Sequence, residues 1–550
     1  MTSIYNNEGI VLTPSNKILG IDLGTTNSSV AIYDKGEMHI IQNKGQESIP
    51  SVVRFPDRKL GDVQVGNAAK KYIVVKPNEV FSSIKSLMRD DGWKSDPIWR
   101  EKFTIEGNLI SPTDIAAKIL SELKKLAQDS EFADGNFEKV VICVPANSTA
   151  IYKQNVKDAA AAAGFGITDR ETGQVLKDSN GNVEGIYLLE EPNAAAIAYG
   201  VNMGFFNPIK NKEQYILVYD LGGGTFDVTI LHIIAHENGD LPTFTPISTK
   251  GISQLGGDDF DWALASIIAT KIKEETSVDI LSNPDQLCNK SILKFESEKL
   301  KIEFSNGADT VNFMHTLEIS EKDQCFDYTI TKEEYEKAIQ SLIQRTLECV
   351  DTTIEAAKLT IEDINRIILV GGSSKAPWIR EALKKKYNRE PYTADNVDTI
   401  VARGASYYGP RLTIDNPVVA KLSHHYGVEL SDGTFSPLFI KGTDIKEQVK
   451  ASAIYYNPDD SGRVTVAVWA TQENIDIEET EKGKKTDLLV TARTTDNMPI
   501  FEWVGEYEIK IPRKLAGQVP IELTLTIDKE NCIHAKAVVD GVATETDWKH

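Results

Sequence analysis

The chain reads as an α/β protein of two homologous halves followed by an antiparallel β domain, and three features of the sequence lead there. The segments ILGIDLGTTNSSVAIY (residues 18–33) and YILVYDLGGGTFDVTIL (residues 215–231) repeat one pattern: an apolar strand, an Asp-Leu-Gly turn with glycine and threonine, then a second apolar strand. A duplicated β-hairpin at so long a spacing belongs to two halves of one fold rather than to a solenoid. After each copy, short apolar runs alternate with helical patterns, which describes α/β layers. Beyond about Tyr408 the pattern changes to period-two alternation broken by turns, as in an antiparallel β-sandwich.

In chain order, KVVICVPA reads as a strand ahead of the alanine-rich helix KQNVKDAAAAAGF, and YLLEEPNAAAIAYG repeats that strand-to-helix passage. NKSILKFESEKLKIEFS reads as a long amphipathic helix with Phe295, Leu300 and Phe304 among its apolar positions. RIILVGGSSKAPWIREALKKKY is strand, glycine turn and helix. The prolines of GPRLTIDNPVVAKL break the helical pattern, so a boundary belongs there. This predicts a first domain over residues 1–411, a linker over 412–425 and a β domain over 426–550. EQVKASAIYY, GRVTVAVWA, YEIKI and VPIELTLTI are its strands, with turns at NPDDSG, DNMP and DKEN. No long helical pattern follows before DWKH, so no helical lid over the β domain is expected.

Of 550 residues, 41% are hydrophobic and 26% charged, the composition of a globular chain long enough for several cores. A net charge of −21 repels nucleic-acid phosphates and anionic lipid and argues against both as partners. The segment MTSIYNNEGI lacks a basic stretch followed by an apolar run, and nothing approaches the roughly 20 apolar residues of a membrane span. A cytoplasmic location is the expectation. Cys143, Cys288, Cys325, Cys349 and Cys532 are scattered without CxxC spacing and read as reduced thiols. His424 and His425 have no further partner at metal-ligand spacing and read as surface residues.

The chemistry concentrates in the two hairpin turns. Glycine lets backbone N–H groups approach phosphate oxygens, and threonine hydroxyls add donors or orient water. Gly24, Thr25, Thr26, Gly222, Gly223, Gly224 and Thr225 are therefore candidate phosphate clamps. Asp22, Asp220 and Asp227 would repel a bare polyphosphate, so they imply a hard cation between carboxylate and phosphate. Magnesium, often held by carboxylates through water, fits. Two further glycine turns, ILVGGSSKAP and LGGDDFDW, sit between strand and helix, where α/β folds place ligands.

GIDLGTTNS, EEPNAAAIAYG, VYDLGGGTFD, LGGDDFD and ILVGGSSKAP, in this order, resemble the seventy-kilodalton heat-shock chaperone family of the DnaK type. The resemblance covers nearly the whole chain, most closely the first 400 or so residues. It implies an actin-like, ribonuclease H-like duplicated ATPase domain and a β-sandwich that binds peptide. It implies ATP or ADP with magnesium, and potassium as a further candidate ion. Asp22 and Asp220 would face magnesium through water, while Thr25, Thr26, Asn27 and Gly222 to Thr225 hold phosphates. Glu191 would be the acid near metal and attacking water, and Lys85 in VFSSIKSLMR the catalytic lysine. Asp220 and Thr225 complete the implied catalytic set, and Asp227 the acidic one. Glu298, Lys301 and Ser305 share a helix face toward adenosine, with Gly257, Gly371, Gly372, Ser373, Lys375 and Asp398 around the rest of the nucleotide.

Pro145 and Lys153 match a pair linked to signalling between domains, and Lys157 and Asp158 match the helix that follows. Elsewhere the chain departs from the family. Lys375 replaces an arginine and stacks less well on a base. Tyr187 and Glu190 stand where the family has arginine and asparagine for docking a J-domain partner, and residues 169–184 look inserted. The acidic, leucine-rich linker is replaced by TIDNPVVAKLSHHYG, with Val418, Val419 and Leu422 as apolar substitutes. SPLFIKGT and VPIELTLTIDKENCIHAKA resemble the peptide-binding sandwich, which would hold an extended segment by backbone bonds and an apolar pocket.

Two readings stay open. One is an ATP-hydrolysing chaperone whose nucleotide state controls binding of unfolded polypeptide, with a J-domain co-chaperone and a nucleotide-exchange factor as partners. The other is an ATP-clamped regulatory or scaffold module, exchange-factor-like, with little turnover. A small-molecule kinase of the same fold superfamily is disfavoured by the β domain.

Overall fold

The structure is a computed structural model. It describes residues 15–549 except 90–91, 147, 170, 179–180, 204–212, 236–241, 253, 394–396, 412–419, 423, 446–447, 472–487, 494–499, 529–531 and 545. The expectations for Val418, Val419 and the DNMP turn lie outside the described residues.

The sequence repeat is a repeat of topology. Strands β1 (Leu19–Asp22), β2 (Asn27–Asp34), β3 (Glu37–Ile40), β4 (Val140–Val144) and β5 (Ile186–Glu190) lie in the order β3-β2-β1-β4-β5, and Ile49–Pro50 adds to β2. Strands β6 (Glu213–Leu221), β7 (Phe226–Ile234), β8 (Thr243–Ile252), β9 (Arg366–Val370) and β10 (Tyr392–Thr393) repeat that order as β8-β7-β6-β9-β10. In both sheets an antiparallel meander is extended by two parallel strands. The register repeats too: Asp22 faces Ser29, and Asp220 faces Asp227.

Parallel neighbours require crossovers, which helices supply. In the first half these are α1 (Pro112–Gln128) and α2 (Ala150–Ala162), followed by α3 (Glu191–Met203). The second half adds α4 (Gly257–Thr276), α5 (Leu287–Ser305), α6 (Lys332–Ala356), α7 (Pro377–Tyr387) and α8 (Ile400–Tyr408). Ser111 and Asp114 form a capping box before Pro112 that satisfies the free N–H groups of the first turn of α1. Thr331 and Glu334 do the same for α6.

Strand β6 is buried on both faces from Ile216 to Leu221, and all of that run but Asp220 is apolar. Its odd-numbered side chains, Leu217, Tyr219 and Leu221, enter the second-lobe core, while Ile216 and Val218 enter the cluster between the sheets. That middle layer explains the alanine run of α3. Ala194, Ala195, Ala196 and Ala198 pack among Val141, Cys143, Val218, Val401 and Ala405, where larger side chains would hold the layers apart. In α5, Leu300 and Phe304 are core residues as expected, whereas Phe295 is only half-buried and lines the cleft between the lobes.

The C-terminal strands form two sheets. Strands β11 (Tyr426–Glu429), β12 (Phe435–Phe439), β14 (Arg463–Thr471), β15 (Phe501–Lys510) and β19 (Thr546–Lys549) lie in the order β12-β11-β14-β15-β19. Strands β13 (Gln448–Tyr456), β16 (Pro520–Asp528), β17 (Ile533–Val539) and β18 (Val542–Thr544) follow one another in the second. Val468, Val504 and Ile509 of the first sheet share one core with Ile521, Leu523 and Leu525 of the second. Two turns are braced from outside. Next to the β11–β12 turn, Phe435 N–H donates to Leu488 O at 2.9 Å and Val490 N–H to Gly433 O at 3.0 Å. At the β13–β14 turn, the Asn457 amide donates to Leu515 O at 3.0 Å and accepts from Val519 N–H at 2.8 Å.

Residues 420–422 and 424–425, placed in the linker by sequence, pack with the β strands. Ala420–Lys421 pairs with Asp444–Ile445, and Leu422 joins the β core. His424 and His425 are 2% and 6% exposed, which corrects the surface expectation. The chain enters the sandwich beside Thr471, whose carbonyl lies 2.8 Å from His424 Nδ1 and whose hydroxyl accepts from His425 N–H at 3.1 Å. The five cysteines are free thiols; Cys288 and Cys325 are exposed. No helix among the described residues is long and apolar enough to cross a membrane.

The β domain touches the first half. Ala150 and Ile151 of α2 belong to the β-domain core cluster. Lys157 Nζ lies 3.9 Å from the Asp528 carboxylate, and Asn182, from the turn-rich excursion, lies 3.4 Å from each. Burial opposes ionisation of Asp528, but His534, Lys157 and the Cys532 N–H outweigh it and hold its pKa down at about 2. The ionised contact is therefore complete above the unfolded value of 3.8 and is lost as pH falls through about 2. Asp528→Ala is expected to weaken the domain contact by about 1–3 kcal/mol, read as faster amide exchange over α2 and β16 at pH 7.

Candidate active site

The two repeated turns meet. A Cβ at Gly223 would lie 1.9 Å from the Thr26 hydroxyl, so only glycine lets the second turn press this close to the first. Each turn is held from behind. Ser51 donates its hydroxyl to Gly24 O at 2.7 Å and its N–H to Thr26 O at 2.8 Å. Gly222 N–H closes its own turn onto Thr225 O at 3.0 Å, leaving Gly223 and Gly224 as the backbone donors on that side. The two other glycine turns converge here: Gly257 N–H and the Ser373 hydroxyl both donate to Gly222 O at 2.9 Å. Gly371, at φ 80°, abuts the same hairpin, where a Cβ would stand 2.4 Å from Leu221 O.

These turns form the floor of a cleft of ≈ 940 Å³ between the lobes. Of the catalytic, nucleotide and metal residues expected from sequence, Gly224 and Asp227 alone are not on its wall. Asp227 instead sits opposite Asp220 across the hairpin and adds to its negative environment. Lys85 reaches the floor from the short helix Ile84–Leu87 and donates to Glu191, the first residue of α3, at 2.6 Å. Behind it, Lys153 lies 3.9 Å from Glu190, whose pKa burial raises against the pull of that lysine. Tyr187, the other departure from the family pattern, packs partly buried at the edge of the middle layer.

The charges on the floor do not balance. Asp22 is pushed up to about 7 by burial and by Glu191, with Lys85 opposing and Asp398 adding. Asp220 is raised well above the usual range by burial, then Glu191, Asp227 and Asp22. For Lys85, burial works against the ammonium, but Glu191, Tyr152 and Asp22 together hold it charged. Buried carboxylates in excess over a single ammonium form a donor set that lacks positive charge. Among the described residues no three acids, histidines or cysteines are grouped closely enough to ligate a metal directly. The set fits a hydrated divalent cation met through water, the usual habit of magnesium.

Farther out, polar side chains pair with one another. Glu298 accepts from Lys70 of the first lobe at 2.8 Å, bridging the cleft. Lys301 reaches Asp261 at 2.7 Å and Gly257 O at 3.0 Å, and Ser305 bonds back to its own helix at Lys301 O. Lys375 pairs with Asp398. Sequence reasoning missed Ser51, Lys70, Asp261 and Lys294. Asp261 stands inside the quoted LGGDDFD motif, but its burial to 2% was not legible there.

The family model described as Hsp70 protein matches residues 18–541. With nearly the whole chain matched and the duplicated turns meeting at one cleft, this chain belongs to the Hsp70 family.

Proposed function

We propose that this protein binds ATP with magnesium in the cleft, hydrolyses it, and uses the nucleotide state to control how its β domain holds extended polypeptide. Hsp70 proteins as a family are chaperone-like ATPases that bind unfolded polypeptide and work with co-chaperones. The observation that carries the reading here is the contact of the two glycine-threonine turns over buried, uncompensated carboxylates.

In this reading Gly223, Gly224, Thr25 and Thr26 offer N–H and hydroxyl donors to phosphate oxygens from both lobes. Asp22, Asp220 and Glu191 hold magnesium through water; the ion, when bound, neutralises phosphate charge. The Lys85 ammonium, fixed by its 2.6 Å bond to Glu191, orients the attacking water and offsets charge on the γ-phosphoryl group. Adenosine binding exchanges the pairings of Glu298 with Lys70 and of Lys375 with Asp398 for contacts to ribose and base. Because the Lys70 bridge joins the lobes, occupancy of the adenosine end alters lobe closure.

Two features support control of polypeptide binding. Each of two turns of the sandwich is braced by an outer loop, and Leu489 and Leu515 on those loops are 47% and 68% exposed. The contact of α2 with Asp528 joins the β domain to the lobe that carries Lys85 and Glu191.

The test is single-turnover ATP hydrolysis by wild type and Asp220→Asn, together with release of a fluorescent extended peptide with and without ATP. Wild type is expected to hydrolyse ATP and release peptide faster when ATP is bound, and Asp220→Asn to lose at least about tenfold in hydrolysis. Hydrolysis without ATP-dependent release would sink the coupling. Tight ATP binding without hydrolysis would select the regulatory module instead.

A further inference from the structure

We propose that the outer part of the cleft is a second binding site, one for a planar aromatic anion of about mononucleotide size. The wall there differs in kind from the floor. Trp99 and Lys102 come from the first lobe, Trp262 and Lys290 from the second, and all four line the same cavity.

Each lobe presents an ammonium beside an indole. Lys102 Nζ stands 5.6 Å from the Trp99 ring centre and 5.4 Å from that of Phe81. Lys290 Nζ stands 5.6 Å from the Trp262 ring centre. Cation and ring share a wall with half-buried, accessible faces, so a flat ligand can stack on indole while its acidic group meets ammonium.

Charge pairing separates these two lysines from their neighbours. Lys70, Lys294, Lys301 and Lys375 each hold a carboxylate, Lys294 both Asp258 and Asp261 at 2.6 Å. Lys102 and Lys290 have no carboxylate partner among the described residues. Lys290 donates to Leu281 O at 3.2 Å, and the charge acting on Lys102 is the cation Arg58, which together with burial lowers its pKa. Half-buried ammonium without an acid favours an incoming anion. The chain's net charge of −21 opposes a long polyanion, so a small ligand is favoured over nucleic acid.

This site does not depend on the ATP reading. The probe is 1-naphthyl phosphate, titrated calorimetrically into the full chain both free and saturated with MgADP. One saturable site is expected in both cases, with inorganic phosphate and 1-naphthylmethanol each binding at least about fivefold more weakly. Lys102→Gln and Trp262→Ala should each weaken the probe by at least about fivefold and leave MgADP affinity unchanged, which also shows that the variants fold. Absence of a saturable site, displacement of the probe by MgADP, or equal binding by both variants would overturn the proposal. Failure of MgADP itself to bind would count against the nucleotide reading and leave the free-protein titration to decide this one.

Discussion

Asp22→Asn is expected to raise the melting temperature of the metal-free protein at pH 8 while sharply reducing its stabilisation by ATP and magnesium. The carboxyl titrates at about 7 in the folded chain against 3.8 for an ordinary aspartate. An acid whose folded pKa is raised opposes folding when ionised, so stability falls as pH rises from 3.8 through about 7. Asparagine removes that charge. The variant should match wild type near pH 4, overtake it progressively toward pH 8, and lead there by roughly 3–8 °C. With ATP and magnesium the order reverses, because wild type gains a bound ligand and the variant has lost part of its cation-binding set. Calorimetric scans across pH, with chelator and with MgATP, check both halves. An Asp22→Asn protein less stable than wild type in chelator at pH 8 would contradict the electrostatics of the cleft floor.

Lys85→Ala is expected to be damaging in both stability and turnover. Among the described residues its ammonium is the only cation bonded to Glu191, in surroundings already crowded with Asp22 and Asp220. Removing one partner of a buried pair costs about 3–5 kcal/mol when the other stays charged. Hydrolysis should fall by about 10²–10³-fold, with ATP affinity changed much less, because the lysine acts on the reacting phosphoryl group and water. Lys85→Arg keeps the charge but not the point-like ammonium, and should recover stability more than rate. Single-turnover rates and thermal melts of the two variants separate these roles.

What could be read from sequence was what is local. The Asp-Leu-Gly turns carry their candidate phosphate donors in adjacent residues, so Gly24 to Thr26 and Gly222 to Thr225 stand out by spacing while Asn27 enters only through the resemblance, and the matching strand orders follow from the same repeat. Lys85 was reachable only through family resemblance, because a four-residue helix has no periodicity to reveal which face meets Glu191, 106 positions away. Glu298 was placed on the correct helix, but its partner Lys70 lies 228 positions earlier in a segment without a motif. The alanine run of α3 signalled a helix without saying that it would be enclosed by two sheets. His424 and His425 misled because polarity alone does not report that the chain passes under Thr471. Phe295 followed the helical period yet faces the cleft, since a helix forming one wall of a groove exposes part of its apolar side.

The most direct test of the two-lobed magnesium-nucleotide clamp is calorimetric titration of ATP into the full chain, with magnesium and with chelator, for wild type, Asp22→Asn and Asp220→Asn. One site per chain is predicted, tight with magnesium, at least about tenfold weaker in chelator, and weakened to the chelator value by either substitution even when magnesium is present. ATP binding that ignores magnesium and both substitutions would show that the meeting of the repeated turns is not where the nucleotide is held.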